Sequence, residues 1–183
     1  MKPLFQKSDI HARISALAQQ ISKDYAGKDL LLVGLLKGCT VFMSHLLVQL
    51  DIPKVEIDFM TVSSYKHGTK SSDFKFVQDL DSRVKDRDIL IVEDIVDTGK
   101  TLAFTIEHLK SLGAKSIELA VFVHKTTNLT PDFAHALGTP KYIGFEYQHT
   151  PFIIGFGFDY NGYYRNLPEV YQMEEGDFEE KSL

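Results

Sequence analysis

The sequence lacks the features that mark secreted, membrane-bound or nucleic-acid-binding proteins. A single cysteine among 183 residues cannot form an internal disulfide, which fits a reducing compartment. No apolar run is long enough to cross a membrane, and the N-terminus has no charged-then-apolar leader. A net charge of −5 gives no reason to expect a nucleic-acid partner. We therefore expect a cytoplasmic protein that binds neither a membrane nor a nucleic acid.

The length and composition are those of an ordinary globular domain. Residues 1–183 fit one domain with enough material for a sizeable core, and no internal repeat or low-complexity segment is visible. The tail after Glu174 is rich in acids, and we expect it to be disordered from about residue 175.

Predicted strands and helices alternate along the chain. Continuous apolar runs at residues 30–36 and 89–92 predict strands buried on both faces. Alternating apolar and polar residues at 55–59 predict a strand buried on one face, with Val55, Ile57 and Phe59 inward. Further strands are predicted at residues 116–123 and 142–146. This pattern predicts an α/β fold with a mostly parallel central sheet and helices on both faces.

The predicted helices connect these strands. The first helix has Ser8 or Asp9 as its candidate N-cap. The two that follow each present one apolar side, made of Phe42, Leu46 and Leu50 in one and Leu102, Ile106 and Leu109 in the other.

The segment that carries the chemistry joins the strand at residues 89–92 to the third helix. Residues 92–101 read VEDIVDTGKT. Residues 98–101 would offer backbone N–H groups, two hydroxyls and a helix N-terminus, which suit a phosphate. The carboxylates of Glu93, Asp94 and Asp97 would repel an anion, so they should face sugar hydroxyls or a metal ion. The residues therefore predict a phosphorylated sugar as the ligand.

Two other interpretations of this segment are weaker. Gly99, Lys100 and Thr101 imitate the end of a nucleotide-binding P-loop, but that motif needs a glycine five positions before Gly99, where Asp94 stands. An ordinary strand-to-helix connection needs one capping Asp or Thr, and this segment has three acids and two threonines.

Residues 92–101 resemble the phosphoribosyl-diphosphate signature of the type I phosphoribosyltransferases, and closely that of their 6-oxopurine branch. The resemblance covers roughly residues 30–170. It implies the type I fold, with a small hood region formed by the termini and a flexible lid loop. The Ser64-Tyr65 pair matches the start of that lid.

The resemblance also implies roles for individual residues. It gives Asp97 as the general base, and it places the phosphoribosyl group on Glu93, Asp94, Thr98, Gly99, Lys100 and Thr101. Diphosphate contacts would come from Lys37 and Gly38, after a cis peptide at Leu36–Lys37, and from Arg165. Purine contacts would come from Lys125, Phe152 and Ile153. A magnesium ion would be held by Asp159 together with Glu93 and Asp94.

The implied reaction is transfer of the 5-phosphoribosyl group from phosphoribosyl diphosphate to hypoxanthine and guanine, by a homodimer or homotetramer. Two departures leave the choice among hypoxanthine, guanine and xanthine open: the segment between Glu146 and Phe152 is one residue longer than the family pattern, and Leu129 stands where some relatives have a basic residue. A regulator that senses phosphoribosyl diphosphate while binding RNA or DNA is the alternative, but it needs a basic face. Cys39 is interpreted as a packing residue. His124 fits an exposed loop equally well and is assigned no role.

Overall fold

The computed structural model describes residues 2–64, 74–125, 129–148 and 152–174. Within these ranges the strands are β1 (Lys2–Phe5), β2 (Leu30–Leu35), β3 (Val55–Ser64), β4 (Phe74–Gln78), β5 (Asp88–Val96), β6 (Ser116–Lys125), β7 (Tyr142–Tyr147), β8 (Ile153–Ile154) and β9 (Val170–Gln172). The helices are α1 (Lys7–Asp24), α2 (Cys39–Leu47), α3 (Lys100–Ser111) and α4 (Pro131–Ala136). No helix in the described ranges has the length and apolar character needed to cross a membrane.

The main sheet has the strand order β4-β3-β2-β5-β6-β7. All its neighbouring strands are parallel except β4, which runs antiparallel to β3. The predicted α/β fold with a mostly parallel sheet is therefore confirmed. Because β2, β5 and β6 are adjacent and parallel, the chain segments that follow them leave from the same edge of the sheet. Ligands bind at this edge in open α/β folds.

Alternate residues of the central strands belong to two separate cores. Leu30 and Leu32 of β2 pack with α1 and α2, whereas Leu31 and Val33 pack with α3 and with Phe133 of α4. Burying each such aliphatic side chain stabilises the fold by about 1.5–3 kcal/mol. The continuous apolar runs are thus explained by helices on both faces of the sheet, as predicted.

The two ends of the described chain form a second sheet. Strand β9 pairs antiparallel with β1 on one side and with β8 on the other. This sheet corresponds to the hood region formed by the termini. None of β1, β4, β9 and α4 was predicted from the sequence.

Several predicted boundaries and faces are wrong. Helix α1 begins at Lys7, so Ser8 and Asp9 lie inside its first turn; the Lys7 N–H instead donates to Glu169 Oε1 at 3.2 Å. Helix α2 ends at Leu47, which leaves Leu50 outside it. Ile57 is 42% exposed and not inward as predicted; β4 pairs with β3 only from Thr61 onward, so Ile57 lies outside the paired part of that edge.

Candidate active site

The phosphate turn, residues 97–101, is the first part of the site. Strand β5 ends at Val96, and α3 begins at Lys100. Gly99 between them has a φ of +74°, and a Cβ built on it would lie 2.4 Å from Phe133 Cγ, so the position requires glycine. The first N–H groups of a helix have no acceptor within the helix, so the start of α3 can donate to an anion.

A cavity of about 310 Å³ lies over this turn. It is lined by the phosphate turn, by Glu93 and Asp94, by Leu36 and Gly38 of the neighbouring loop, and by Asp159 and Arg165. The fold thus brings together most residues that the resemblance connects with the phosphoribosyl and diphosphate groups. Lys37 is the exception: its side chain is exposed and does not line this cavity.

The loop between β2 and α2 approaches the acids of β5 closely. The Leu36–Lys37 peptide is cis, as the resemblance implied. The next residue, Gly38, has ordinary helical dihedrals (φ −62°, ψ −38°), yet a Cβ there would lie 1.7 Å from Asp94 Oδ2. Glycine is needed at this position because a Cβ would collide with Asp94, and not because the backbone has an unusual φ. Cys39 is buried, which raises the pKa of its thiol and fits the predicted packing role.

The three acids of this segment stand in different environments. Burial, followed by the charge of Asp94, raises the pKa of Glu93 well above its ordinary value. Asp94 is itself buried, and its Oδ1 accepts the Ile95 N–H at 2.8 Å. The Asp97 side chain is 45% exposed, and its Oδ2 lies 4.0 Å from Lys125 Nζ. The first pair can hold hydroxyls or a cation, whereas the Asp97 carboxylate is accessible to a ligand.

A second cavity of about 220 Å³ adjoins the first. The two share Asp94, Ile95, Asp97 and Asp159, and the second is completed by Lys125, Phe152, Ile153 and Phe158. Phe152 is 47% exposed, and its ring makes an edge contact with the Tyr160 ring at 5.8 Å between centroids, so the predicted stacking residue lies at the surface of the cavity rather than in the core. Strand β6 continues to Lys125, two residues beyond the predicted end at residue 123.

Asp159 and Arg165 form one unit. Arg165 Nη2 lies 2.5 Å from Asp159 Oδ1, and the other Asp159 oxygen accepts the Gly162 N–H at 2.7 Å. Arg165 also donates to the carbonyl oxygen of Gly157. Both side chains line the larger cavity, so the site offers a paired carboxylate and guanidinium opposite the phosphate turn.

The candidate magnesium ligands do not form a closed metal site. Across the ranges that the structure describes, no group of three His, Cys, Asp or Glu side chains is arranged to hold an ion. Glu93, Asp94 and Asp159 nevertheless all line the larger cavity. Magnesium is usually bound by one or two carboxylates plus substrate phosphates and water, so this donor set fits an ion that arrives with a phosphorylated substrate.

Some predictions fall outside the described residues, and some relevant residues were missed. Tyr65 and the acidic tail lie outside the described ranges, and for Ser64 only its place at the end of β3 is described. His124 is buried within β6, so its possible place in an exposed loop is wrong; burial lowers the pKa of its imidazole. Thr130 and Phe133 contact the phosphate turn and were not predicted. The Thr130-Pro131 pair, a typical helix start, could have located them.

A phosphate turn at the carboxyl edge of a parallel sheet, facing acids and adjoining a pocket with an exposed ring, defines a protein that binds a phosphorylated sugar beside a second, flat ligand. A family model described as the phosphoribosyl transferase domain matches residues 4–161. The chain belongs to this family.

Relatives named for their function match nearly the whole chain. A hypoxanthine-guanine phosphoribosyltransferase of Streptococcus thermophilus is 40% identical over 175 residues, covering 95% of this chain and 93% of the relative. A crystal structure of a Staphylococcus aureus hypoxanthine phosphoribosyltransferase superposes with a TM-score of 0.86 at 35% identity, covering 96% of this chain and 94% of that one. A variant of the Trypanosoma cruzi hypoxanthine phosphoribosyltransferase in a ternary complex with substrates gives 0.88 at 28% identity, covering 97% of each chain.

Proposed function

We propose that this protein transfers the 5-phosphoribosyl group from phosphoribosyl diphosphate to hypoxanthine and guanine, releasing diphosphate and forming the purine mononucleotide. The observation that carries the proposal is the position of Asp97, which lines both cavities. The sugar carbon and the purine nitrogen must meet where a phosphate-binding cavity adjoins a base-binding one. Asp97 occupies that junction.

The larger cavity would bind the phosphoribosyl diphosphate. The phosphate turn donates backbone N–H groups and hydroxyls to the 5-phosphate, while Glu93 and Asp94 hold the ribose hydroxyls directly or through an ion. Arg165 and Gly38, which both line this cavity, would face the diphosphate. Asp159, Glu93 and Asp94 would hold a magnesium ion, which would supply positive charge to the leaving diphosphate.

The smaller cavity would select the base. Lys125 has only donors, so it recognises the exocyclic oxygen of a 6-oxopurine and disfavours the amino group of adenine. The Phe152 ring, which lines this cavity, would stack on the purine ring, and the backbone of Ile153 would meet the base edge. Xanthine shares the 6-oxygen, so the relative rates with hypoxanthine, guanine and xanthine must be measured.

In the reaction, the bond from the sugar carbon to the diphosphate oxygen breaks, and diphosphate leaves with the electron pair. A bond from the purine ring nitrogen to the same carbon forms, and Asp97 accepts the proton that the ring loses. Because the ribose carries positive character between these events, the site must exclude water, which is the expected role of the lid that begins at Ser64 and Tyr65.

The decisive experiment is an assay panel with phosphoribosyl diphosphate, magnesium and each of hypoxanthine, guanine, xanthine, adenine and the pyrimidine bases. We expect turnover with hypoxanthine and guanine and none with adenine or pyrimidines. Equal rates with adenine would contradict the role of Lys125, and no turnover with any base would contradict the function. We also propose that the chain acts as one domain in a homodimer or homotetramer, which sedimentation of the purified protein tests.

A further inference from the structure

The phosphate turn rests on a support that lies outside both cavities. The carbonyl oxygen of Thr98 accepts two hydrogen bonds from Thr130, one from its N–H at 3.0 Å and one from its Oγ1 at 3.0 Å. Thr98 lines the larger cavity, whereas Thr130 lines neither cavity. The turn therefore faces the ligand on one side and is hydrogen-bonded from the other.

Phe133 adds a packing contact to this support. Its side chain is fully buried, and it lies so close to Gly99 that a Cβ there would meet its Cγ at 2.4 Å. The backbone of Gly99 thus lies directly on the aromatic ring. Any outward movement of the turn would open a gap beside Phe133, and any inward movement would press into the ring.

The hydroxyl of Thr130 is used in an uncommon way. Thr130 is the N-cap of α4, a position where a threonine side chain normally accepts a hydrogen bond from its own helix. No such bond is present here, and Pro131 occupies the first helical position. The hydroxyl donates instead to Thr98, in a segment 32 residues away along the chain. The hydrogen bond from the Thr130 hydroxyl therefore stabilises the phosphate turn and not the N-terminus of α4.

The geometry of one peptide unit connects this support to the ligand. The carbonyl of Thr98 and the N–H of Gly99 belong to the same planar trans peptide, so they point in opposite directions. Two hydrogen bonds that fix the Thr98 carbonyl therefore also fix the direction of the Gly99 N–H. We propose that Thr130 and Phe133 are positioning residues, which hold the phosphate turn in its anion-binding conformation before the phosphorylated sugar arrives.

This inference rests on the proposed function and predicts a selective kinetic effect. Thr130→Val keeps the shape of the side chain and the backbone N–H but removes the Oγ1 donor. One neutral hydrogen bond contributes about 0.5–1.5 kcal/mol, so we expect the KM for phosphoribosyl diphosphate to rise about 2- to 10-fold. At saturating phosphoribosyl diphosphate, kcat and the KM for hypoxanthine should stay within twofold of the wild type.

Two matched variants separate positioning from general stability. Thr130→Ser retains the hydroxyl and should restore the wild-type KM. His135→Ala changes an exposed residue on the same helix and should leave every parameter unchanged. Isothermal titration with phosphoribosyl diphosphate and magnesium should give the same fold-change in affinity as the KM.

The outcomes distinguish the two proposals. If the wild type is inactive with every base, the proposed function fails. If the wild type is active and Thr130→Val changes both KM values equally, or neither, the positioning role is overturned. Phe133→Leu provides an independent variant should the valine variant not fold: it removes ring atoms that pack beside Gly99, and an unchanged affinity for phosphoribosyl diphosphate would also overturn the proposal.

Discussion

The contact between Gly38 and Asp94 allows a test in which one added methyl group should displace a catalytic-site acid. In Gly38→Ala the backbone needs no change, because φ −62° and ψ −38° are favourable for alanine. The new Cβ would instead lie 1.7 Å from Asp94 Oδ2 and 2.4 Å from Asp94 Cγ. The whole effect of the substitution is thus assigned to one collision with a buried carboxylate.

The expected magnitude follows from that collision. Overpacking of this kind costs about 1–3 kcal/mol of unfolding free energy. For a chain of this length, 1 kcal/mol shifts Tm by about 2–4 °C, so we expect a decrease of about 2–12 °C. Because the Asp94 carboxylate must move, affinity for phosphoribosyl diphosphate should fall as well.

A double-mutant cycle gives the sharpest measurement. Urea unfolding of Gly38→Ala, Asp94→Ala and the double variant should show that Asp94→Ala removes most of the penalty of Gly38→Ala, a coupling of about 1–3 kcal/mol. Gly27→Ala is the control, since Gly27 has a φ of +74° and nothing within 4 Å of its added Cβ. Its penalty should be the same with and without Asp94. Additive penalties for Gly38→Ala and Asp94→Ala would refute the reasoning.

Three further predictions concern the acids and the base pocket. Asp97→Asn should slow turnover about 100- to 10,000-fold while sparing binding of phosphoribosyl diphosphate, and unaltered turnover would remove Asp97 from the mechanism. Glu93→Gln should stabilise the ligand-free protein at pH 8 by about 1 kcal/mol. Because folding raises the pKa of Glu93, the free energy of unfolding of the wild type falls as the pH rises above the unfolded pKa. The stabilisation by Glu93→Gln, measured by urea unfolding, should therefore vanish near about pH 4. A stabilisation that does not change with pH would contradict the raised pKa of Glu93. Lys125→Met should lower kcat/KM for hypoxanthine about 10- to 100-fold and leave adenine unused or slightly better used, whereas an equal fall for both bases would exclude a role in selecting the 6-oxygen.

The sequence by itself determined the α/β fold and, through its family resemblance, most of the residues that line the candidate site. The continuous run at Ile89–Val92 and the helical spacing from Leu102 onward are local signals, and the residues between them needed no distant partner to be assigned. The carboxyl edges of parallel strands then bring Lys125 and the loop at Gly38 to the same place, which the alternation of strands and helices already implied.

The tertiary structure decided what depends on contacts between distant segments. Glu169 accepts a hydrogen bond from the first residue of α1, 162 residues away, and β4 pairs with β3 only beyond Ile57, which is exposed. The support of Thr98 by Thr130 and the contact of Gly38 with Asp94 are likewise absent from any local pattern. The periodicity of a sequence indicates which side of a helix or strand is buried. It does not indicate which group a backbone carbonyl oxygen will contact or which residue will lie against a glycine, so these contacts are determined only in the folded chain.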